Sequence, residues 1–274
     1  MLLGNKSLFK NIAVMFCILF FLVLSIWWIL IYRQGLHEGP QNDAFTLIYP
    51  LMSLIGGIIG IVVSSRWGGL KSYFGSAIMF LSFGLLAQFF GQASYAFLIY
   101  VESIAVPYPS IGDIGYFGSI FFYIIALIYL GKVIGVKKNL ISFHQQFLAF
   151  FIPIVLLLGS YFLFLQGYEF DWSNKLRIFL DFGYPIGQAI YVSLAIVILI
   201  LSRNVLGGIM RKPIWFLIFA LVFQYFSDSM FLYQAGNETW YVGGINDYLY
   251  FISYFIMTIS LIQFGSAFYK IKNT

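Results

Sequence analysis

The chain has 274 residues, of which 61% are hydrophobic and only 9% charged, and its formal net charge is +5. Soluble globular proteins carry about 25% charged residues, so this composition excludes an ordinary soluble domain and makes lipid the expected surroundings. The single cysteine, Cys17, excludes an internal disulfide framework. The lipid bilayer is therefore the expected partner of this chain, and no feature suggests nucleic acid.

Eight stretches are apolar enough to cross a bilayer, for which a helix needs roughly 20 residues. They cover residues 12–32, 44–65, 75–101, 112–131, 147–167, 179–202, 213–234 and 247–268. The runs are continuously apolar rather than alternating, which favours helices over a β-barrel. The sequence therefore predicts an all-α, polytopic integral membrane protein with eight transmembrane helices.

The first stretch has one feature of a signal peptide, because Lys6 and Lys10 precede it. However, it stays uncharged from Ile12 to Tyr32, whereas the apolar region of a signal peptide runs for about 7–15 residues. No cleavage site with small residues follows. We therefore expect this stretch to be retained as the first transmembrane helix.

Basic and acidic residues segregate between alternate loops. Twelve of the 15 basic residues lie in the two tails and the loops after the second, fourth and sixth spans: Lys6, Lys10, Arg66, Lys71, Lys132, Lys137, Lys138, Arg203, Arg211, Lys212, Lys270 and Lys272. The opposite side has three basic residues and nearly all of the acids. The positive-inside rule then predicts a plasma-membrane protein with both termini in the cytoplasm.

The two halves of the chain, 1–138 and 139–274, share a pattern of rare polar residues. The matches are Tyr49-Pro50 with Tyr184-Pro185, Gln88-Phe-Phe-Gly-Gln92 with Gln224-Tyr-Phe-Ser-Asp228, Glu102-Ser103 with Glu238-Thr239, and Gly112-Asp113 with Asn246-Asp247. Each half contains four spans, an even number, so the halves are predicted to be parallel repeats. Such repeats are related by an axis along the membrane normal.

The candidate site is a polar cluster toward the outer side of the bundle. Asp228 is the one acid well inside an apolar run, and a charge there costs about 2.5–3.5 kcal/mol on insertion scales. Gln224 lies four residues earlier on the same helix face, and the first half repeats this pattern. The candidate ligand-binding residues are Asp228, Gln224, Gln88, Gln92, Asp113, Asp247 and Tyr95.

A structural interpretation of the same residues stays open. The glutamines and Asp228 can be interhelical hydrogen-bond partners without any ligand. Asp113 and Asp247 begin the fourth and eighth spans, where the helix dipole favours an acid, and Ser110 suits an N-cap. The tyrosines near the cluster fit ordinary packing as well as the wall of a pocket.

Enzymatic chemistry has little support. Both histidines, His37 and His144, are predicted outside the helices and on opposite sides, which excludes a histidine-rich metal site and a Ser-His dyad in the membrane. An aspartyl dyad requires two acids within hydrogen-bond range. Ser110-Ile-Gly112-Asp113 matches only part of the Gly-x-Gly-Asp string of intramembrane aspartyl proteases. The cofactor, if any, stays unknown, because no cofactor motif occurs.

Two segments carry a resemblance to a known family: 109–116, Pro-Ser-Ile-Gly-Asp-Ile-Gly-Tyr, and 226–234, Phe-Ser-Asp-Ser-Met-Phe-Leu-Tyr-Gln. They resemble the multi-helix membrane sensor region that precedes GGDEF/EAL domains in bacterial cyclic-di-GMP signalling proteins. Asp113, Asp228 and Asp247 stand at the matching acidic positions, and Gln92 stands where that family often has an acid. Because this chain ends at Thr274, shortly after the last span, the resemblance implies that a partner protein supplies any output.

Four functional hypotheses follow from these features. The first is a stand-alone sensory or ligand-binding module with a closed outer-side pocket and output through cytoplasmic loops. The second is a small-solute transporter, which requires a polar path between both faces, although 72–85 and 213–223 contain few polar groups. The others are an intramembrane aspartyl-type enzyme and a structural subunit of a membrane complex.

Overall fold

The computed structural model describes residues 6–35, 37–104, 106–134, 143–202 and 208–272. Within these ranges the regular structure is helical, with no β-strand. The helices are α1 Lys6–Arg33, α2 Pro40–Ile48, α3 Leu51–Arg66, α4 Tyr73–Tyr100, α5 Gly112–Ile134, α6 Phe143–Ser160, α7 Lys175–Ser202, α8 Arg211–Gly236 and α9 Ile245–Lys272. Eight stretches of the described chain are long and apolar enough to cross a membrane. The chain is therefore a multi-pass helical membrane protein, as predicted.

Two of the predicted spans are not single α-helices. The span predicted at 44–65 consists of α2 and α3, separated by a turn at Tyr49-Pro50. Proline lacks an amide hydrogen, so the helical ladder lacks one bond at this position. The span predicted at 147–167 ends its α-helix at Ser160 and continues as a π-helical turn over Tyr161–Leu165. By contrast, α7 continues through Pro185.

Six spans form a closed ring in which each helix contacts the next. The order around the ring is α3, α4, α5, α7, α8 and α9, and α9 contacts α3 again. Outside this ring, α1 packs against α9 and α6 packs against α7. The spans that contain α1 and α6 are the least buried, so their apolar surfaces are available to lipid. The interior of the ring is where polar side chains find protein partners.

Glycines permit the closest helix approaches in the ring. A Cβ atom at Gly115 in α5 would lie 2.5 Å from the carbonyl oxygen of Ala87 and 2.6 Å from the amide nitrogen of Gly91, both in α4. In α3, the Cα of Gly56 faces Thr258 of α9. These contacts hold backbones close enough for side-chain hydrogen bonds between helices, as is common in membrane proteins.

One of the two histidines does not lie where the sequence suggested. His144 was predicted outside the helices, but it lies in the first turn of α6, because that helix begins at Phe143. His37 lies in the bend before α2 and stacks on Tyr241, with ring centroids 4.3 Å apart. The proposed boundary between the two halves, and the basic residues Lys137, Lys138 and Arg203, lie outside the described residues.

Candidate functional site

Asp228 lies in the ring interior, where only 6% of it is exposed. The side-chain amide of Gln224, one turn earlier in α8, donates a hydrogen bond to its Oδ1 at 3.0 Å. The hydroxyl of Tyr191 in α7 donates to its Oδ2 at 3.0 Å. Tyr250 of α9 also hydrogen-bonds this carboxyl group. Three helices therefore converge on one acid, and every one of these partners is uncharged.

Gln224 extends this network to α9. Its Oε1 accepts a hydrogen bond of 2.7 Å from the hydroxyl of Ser253, while its amide is used by Asp228. Gln224 is fully buried. A buried amide with both ends satisfied is held in one orientation, so Gln224 fixes the position of the carboxyl group.

A second network surrounds the two glutamines of α4. The amide of Gln88 donates to Ser119 of α5 at 2.8 Å, and its Oε1 accepts a hydrogen bond of 3.0 Å from Tyr254 of α9. Gln92 also hydrogen-bonds to the hydroxyl of Tyr254. Gln88 is buried and Gln92 is half-buried. The predicted polar face of α4 therefore contacts α9 through Tyr254.

Four tyrosines join the two networks and form what we call the tyrosine layer: Tyr123, Tyr191, Tyr250 and Tyr254. Tyr250 and Tyr254 lie one turn apart on α9 with stacked rings, 6.1 Å between centroids. Tyr123 meets Tyr191 edge to face at 5.7 Å. The hydroxyl of Tyr123 is buried and has no hydrogen-bond partner in the described structure. The layer therefore places the Tyr123 hydroxyl, a donor without a partner in the described structure, near Asp228.

Asp113 begins α5 and is buried beside Tyr184 of α7. Tyr184 donates to its Oδ1 at 2.7 Å. The amide nitrogen and the hydroxyl of Ser110 donate to its Oδ2 at 2.7 and 3.2 Å. The hydroxyl of Ser110 accepts in turn from the amide of Gly112, as the predicted capping role requires. Asp113 therefore ties the start of its own helix to a helix from the other half of the chain.

Asp247 has the equivalent surroundings at the start of α9. Its Oδ1 accepts from the hydroxyl of Tyr49 at 3.4 Å, and its Oδ2 accepts from Thr46 at 3.0 Å and from the amide of Gly243 at 2.8 Å. Its donors therefore come from α2, from the turn after it and from the loop before α9. Both acids occupy the positive end of a helix dipole, where a carboxylate is stabilised.

Tyr95 belongs with Asp113 rather than with Asp228. Its ring packs against Gly112, where an added Cβ would lie 2.5 Å away, and meets Tyr116 edge to face at 5.1 Å. Of the seven predicted residues, Gln224 and Asp228 contact each other directly, and Gln88 and Gln92 share Tyr254. Asp113 and Asp247 each have a separate set of donors.

The separate donor sets argue against an aspartyl dyad. Both carboxylate oxygens of Asp113, Asp228 and Asp247 accept hydrogen bonds from tyrosine, amide, serine, threonine or backbone groups rather than from another acid. A shared proton requires two carboxyl groups in direct contact. Among the described residues, no three His, Cys, Asp or Glu side chains converge in a way that could hold a metal ion.

Asp181, near the start of α7, gathers contacts from two loops. Asp181 accepts hydrogen bonds from Tyr108 at 2.7 Å and from Tyr168 at 2.6 Å, and forms an ion pair of 3.7 Å with Arg177. The bond to Asp181 raises the pKa of Tyr168 to about 12, since ionisation would place two negative charges together. Burial and the same carboxylate raise the pKa of Tyr108. The loop that contains Tyr108 and the loop that contains Tyr168 are thereby anchored to α7.

The sequence interpretation missed most of the hydrogen-bond partners of the predicted acids and glutamines. The missed partners of the acids are Thr46, Tyr49, Tyr184, Tyr191 and Tyr250, and those of the glutamines are Ser119, Ser253 and Tyr254. Two of them carried a usable signal, because Ser119 and Ser253 each lie six residues after the acid that opens their helix. Gln188 of α7 was also missed. Its side chain is buried, and its Oε1 has no partner in the described structure.

The cluster is closed in this conformation. Gln224 and Ser227 are fully buried, and direct side-chain contacts occupy the space around Asp228. The two cavities described lie elsewhere, one at the basic end beside Lys212 and Lys270 and one along the surface of α4 beside Phe90 and Phe97. A ligand that reaches Asp228 must therefore displace one of its present partners.

Fold and site together define a multi-pass helical membrane protein whose polar cluster is buried in a ring of six helices. Comparisons with known protein families, with curated proteins and with solved structures find no match to this chain.

Proposed function

We propose that this chain is a membrane-embedded sensory module that binds a small ligand at Asp228 and transmits the event to a partner protein. The observation that supports this proposal most directly is the convergence of Tyr191, Gln224 and Tyr250 on that buried carboxyl group. In the described chain, no lysine, arginine or histidine forms an ion pair with it. An acid with neutral partners only is suited to a ligand that brings a cationic or hydrogen-bond-donating group.

The proposal includes two parallel repeats, residues 1–138 and 139–274. The ring supports this arrangement, since exchanging α3, α4 and α5 with α7, α8 and α9 leaves its neighbour order unchanged. Two crossed hydrogen bonds support it further: Tyr184 of the second half donates to Asp113 of the first, and Tyr49 of the first half donates to Asp247 of the second. The outer helices α1 and α6 depart from this symmetry.

The two halves differ where a ligand would bind. Tyr191 lies seven residues after Tyr184, and the position seven residues after Tyr49 is Gly56. The acid Asp228 likewise matches Gln92. The second half thus has both the acid and the tyrosine that donates to it, and the first half has neither. A paired difference of this kind favours one binding site in the second half over two equivalent structural contacts.

A sensory role also accords with the resemblance to membrane sensor regions of cyclic-di-GMP signalling proteins. The resemblance rests on Asp113, Asp228 and Asp247, and each of these acids is buried and hydrogen-bonded between helices. Opening the Asp228 cluster would alter contacts among α7, α8 and α9, so binding at the site can change the spacing of the basic ends of these helices. A partner that contacts those ends would detect the change.

A small-solute transporter is the second candidate. It is favoured by the interrupted second span, since broken helices often mark the binding site of repeat-built transporters. The packing toward the basic end argues against it, because most of the buried side chains of α4 and α8 there are apolar. They include Ala77, Ile78, Leu81, Leu85, Ile214, Leu217, Ile218 and Leu221. The exceptions, Ser76 and Ser82, donate their hydroxyls to backbone carbonyl oxygens.

The test is gentle purification in detergent followed by native mass spectrometry and an absorption spectrum for co-purifying small molecules. We expect a bound molecule with wild-type protein and its loss with Asp228→Asn, which keeps the shape of the side chain. Asp181→Asn, at the half-buried contact near the start of α7, is the matched control and should retain it. Equal retention in both variants, or a wild-type protein that purifies without any ligand and gains no thermal stability from a library of small amines, would contradict a site at Asp228.

The proposed topology places both termini in the cytoplasm of a plasma-membrane protein. Reporter fusions at residue 274 and within the loop 166–174 should read opposite sides of the membrane, with the basic loops cytoplasmic. Fusions that read the same side would overturn the parallel repeats, because the three spans predicted after this loop, and with them the four-span second half, would be miscounted.

A further inference from the structure

A cavity of about 210 Å³ opens at the basic end of the bundle, beside the start of α8, whereas Asp228 lies in the second half of that helix. Its walls come from α1, from the start of α8 and from the end of α9. Lys212, the second residue of α8, and Lys270, in the last turn of α9, both line it. The antiparallel arrangement of these two consecutive helices brings the lysines to one opening.

Among the described residues, the charged side chains that line this cavity are both lysines. None of the described lining residues is acidic, and both lysines are exposed at the cavity edge. Lys212 also lies at the N-terminal end of α8, where the helix dipole is positive and disfavours a cation. Two lysines and a positive helix end therefore line one space, and this combination suits an anionic group.

The other walls of the cavity suit a ligand that is only partly polar. Gln263 adds a side-chain amide that can donate hydrogen bonds, whereas Val14 and Ile262 supply an apolar surface that continues between α1 and α9. The hydroxyl of Ser266, also in the lining, is already used as a donor to the carbonyl oxygen of Ile262 at 3.0 Å. The cavity thus combines a cationic mouth with an apolar interior at the end of membrane-spanning helices.

We propose that this cavity binds the phosphate headgroup of an anionic phospholipid, with Lys212 and Lys270 on the phosphate and the lipid chains along α1 and α9. Basic pockets between helices at the cytoplasmic surface are suited to such headgroups. A free phosphate ion shares the anionic chemistry but does not use the apolar walls. The lipid is therefore the better match, and it does not depend on the proposed site at Asp228.

The test measures lipid binding to the detergent-purified full chain by native mass spectrometry. Phosphatidylglycerol, phosphatidylcholine and glycerol 3-phosphate serve as the anionic lipid, the zwitterionic lipid and the headgroup without chains. We expect phosphatidylglycerol to bind most tightly. Replacing both lysines, Lys212→Gln with Lys270→Gln, should weaken its binding about tenfold.

The control removes the same charge from the same face outside the cavity, by Lys71→Gln with Lys132→Gln, and should change binding less than about twofold. Lys212→Arg with Lys270→Arg keeps the charge and should bind like the wild type, which separates loss of charge from loss of folding. Equal weakening by the control pair, equal binding of phosphatidylcholine, or glycerol 3-phosphate binding as tightly as the lipid would each overturn the proposal.

Discussion

The hydroxyl of Tyr184 donates a hydrogen bond of 2.7 Å to Oδ1 of Asp113, joining the middle of α7 to the first turn of α5. Tyr49 makes the equivalent contact with Asp247, but at 3.4 Å. Each tyrosine directly precedes a proline, whose missing amide hydrogen removes one bond from the helical ladder. The two contacts hold the halves of the chain together at the same level of the bundle.

The difference in length between these contacts predicts a difference in stability. Tyr184→Phe removes a short buried hydrogen bond and leaves one oxygen of Asp113 without this donor. We expect the free energy of unfolding to fall by about 1–3 kcal/mol. Tyr49→Phe should cost less, because its bond is longer, while each acid keeps two other donors. Denaturant unfolding of both variants in the same detergent measures this order, and a larger loss for Tyr49→Phe would contradict it.

The pair Gln224 and Ser253 should show measurable coupling. A double-mutant cycle with Gln224→Leu and Ser253→Ala isolates their 2.7 Å hydrogen bond from the other contacts of each residue. Polar contacts between membrane helices average about 0.6 kcal/mol in such cycles, and we expect a coupling of about that size.

The parallel cycle with Gln88→Leu and Ser119→Ala, across a 2.8 Å bond, is the matched comparison and should give a similar value. Additive effects in both cycles would mean that these hydrogen bonds do not hold the helices together.

Gly115 controls the distance between α4 and α5. Gly115→Ala places a methyl group against the backbone of Ala87 and Gly91, and neither can move without shifting its helix. We expect a loss of about 1–3 kcal/mol, typical of overpacking. Gly118→Ala, on the same helix, is the control, because no atom lies within 4 Å of its added Cβ.

Alanine favours helix over glycine, so Gly118→Ala should leave stability unchanged or raise it by up to about 1 kcal/mol. Thermal unfolding compares the two variants directly. Equal behaviour would show that the two helices are not in close backbone contact.

Asp171, in the loop before α7, provides a test outside the membrane-spanning helices. The hydroxyl and amide of Ser173 donate to its Oδ1 at 2.5 and 3.0 Å, and these bonds lower the pKa of the carboxyl group. A lowered pKa favours the native loop above the ordinary pKa of aspartate, and this benefit is lost as pH falls through the lowered value.

A carboxyl carbon NMR titration should find Asp171 ionising below its usual range. In Ser173→Ala the hydroxyl bond is lost but the amide remains, so the pKa should rise part of the way back. An unchanged titration would show that the loop lacks this turn in solution.

Much of the candidate site was predictable, but not its partners. The polar residues Asp228, Gln224, Gln88 and Gln92 stand out because such residues are rare in apolar runs. Tyrosines do not stand out among 20 in the chain, so the donors Tyr191 and Tyr250 could not be distinguished from interfacial or packing tyrosines. Their roles depend on which helices are neighbours, and that information is not local.

The sequence by itself determined that the chain is helical and crosses the membrane repeatedly, because in lipid each backbone group must bond within its own segment and each span must be long and apolar. The charge pattern likewise predicts an orientation. Only the tertiary structure decided that α1 and α6 lie outside the ring, that the second span breaks at Tyr49-Pro50, and that Tyr184 reaches across to Asp113. Lipid-facing and core-facing side chains are both apolar, so helix neighbours depend on close contacts between glycines and on hydrogen bonds between residues far apart in the chain.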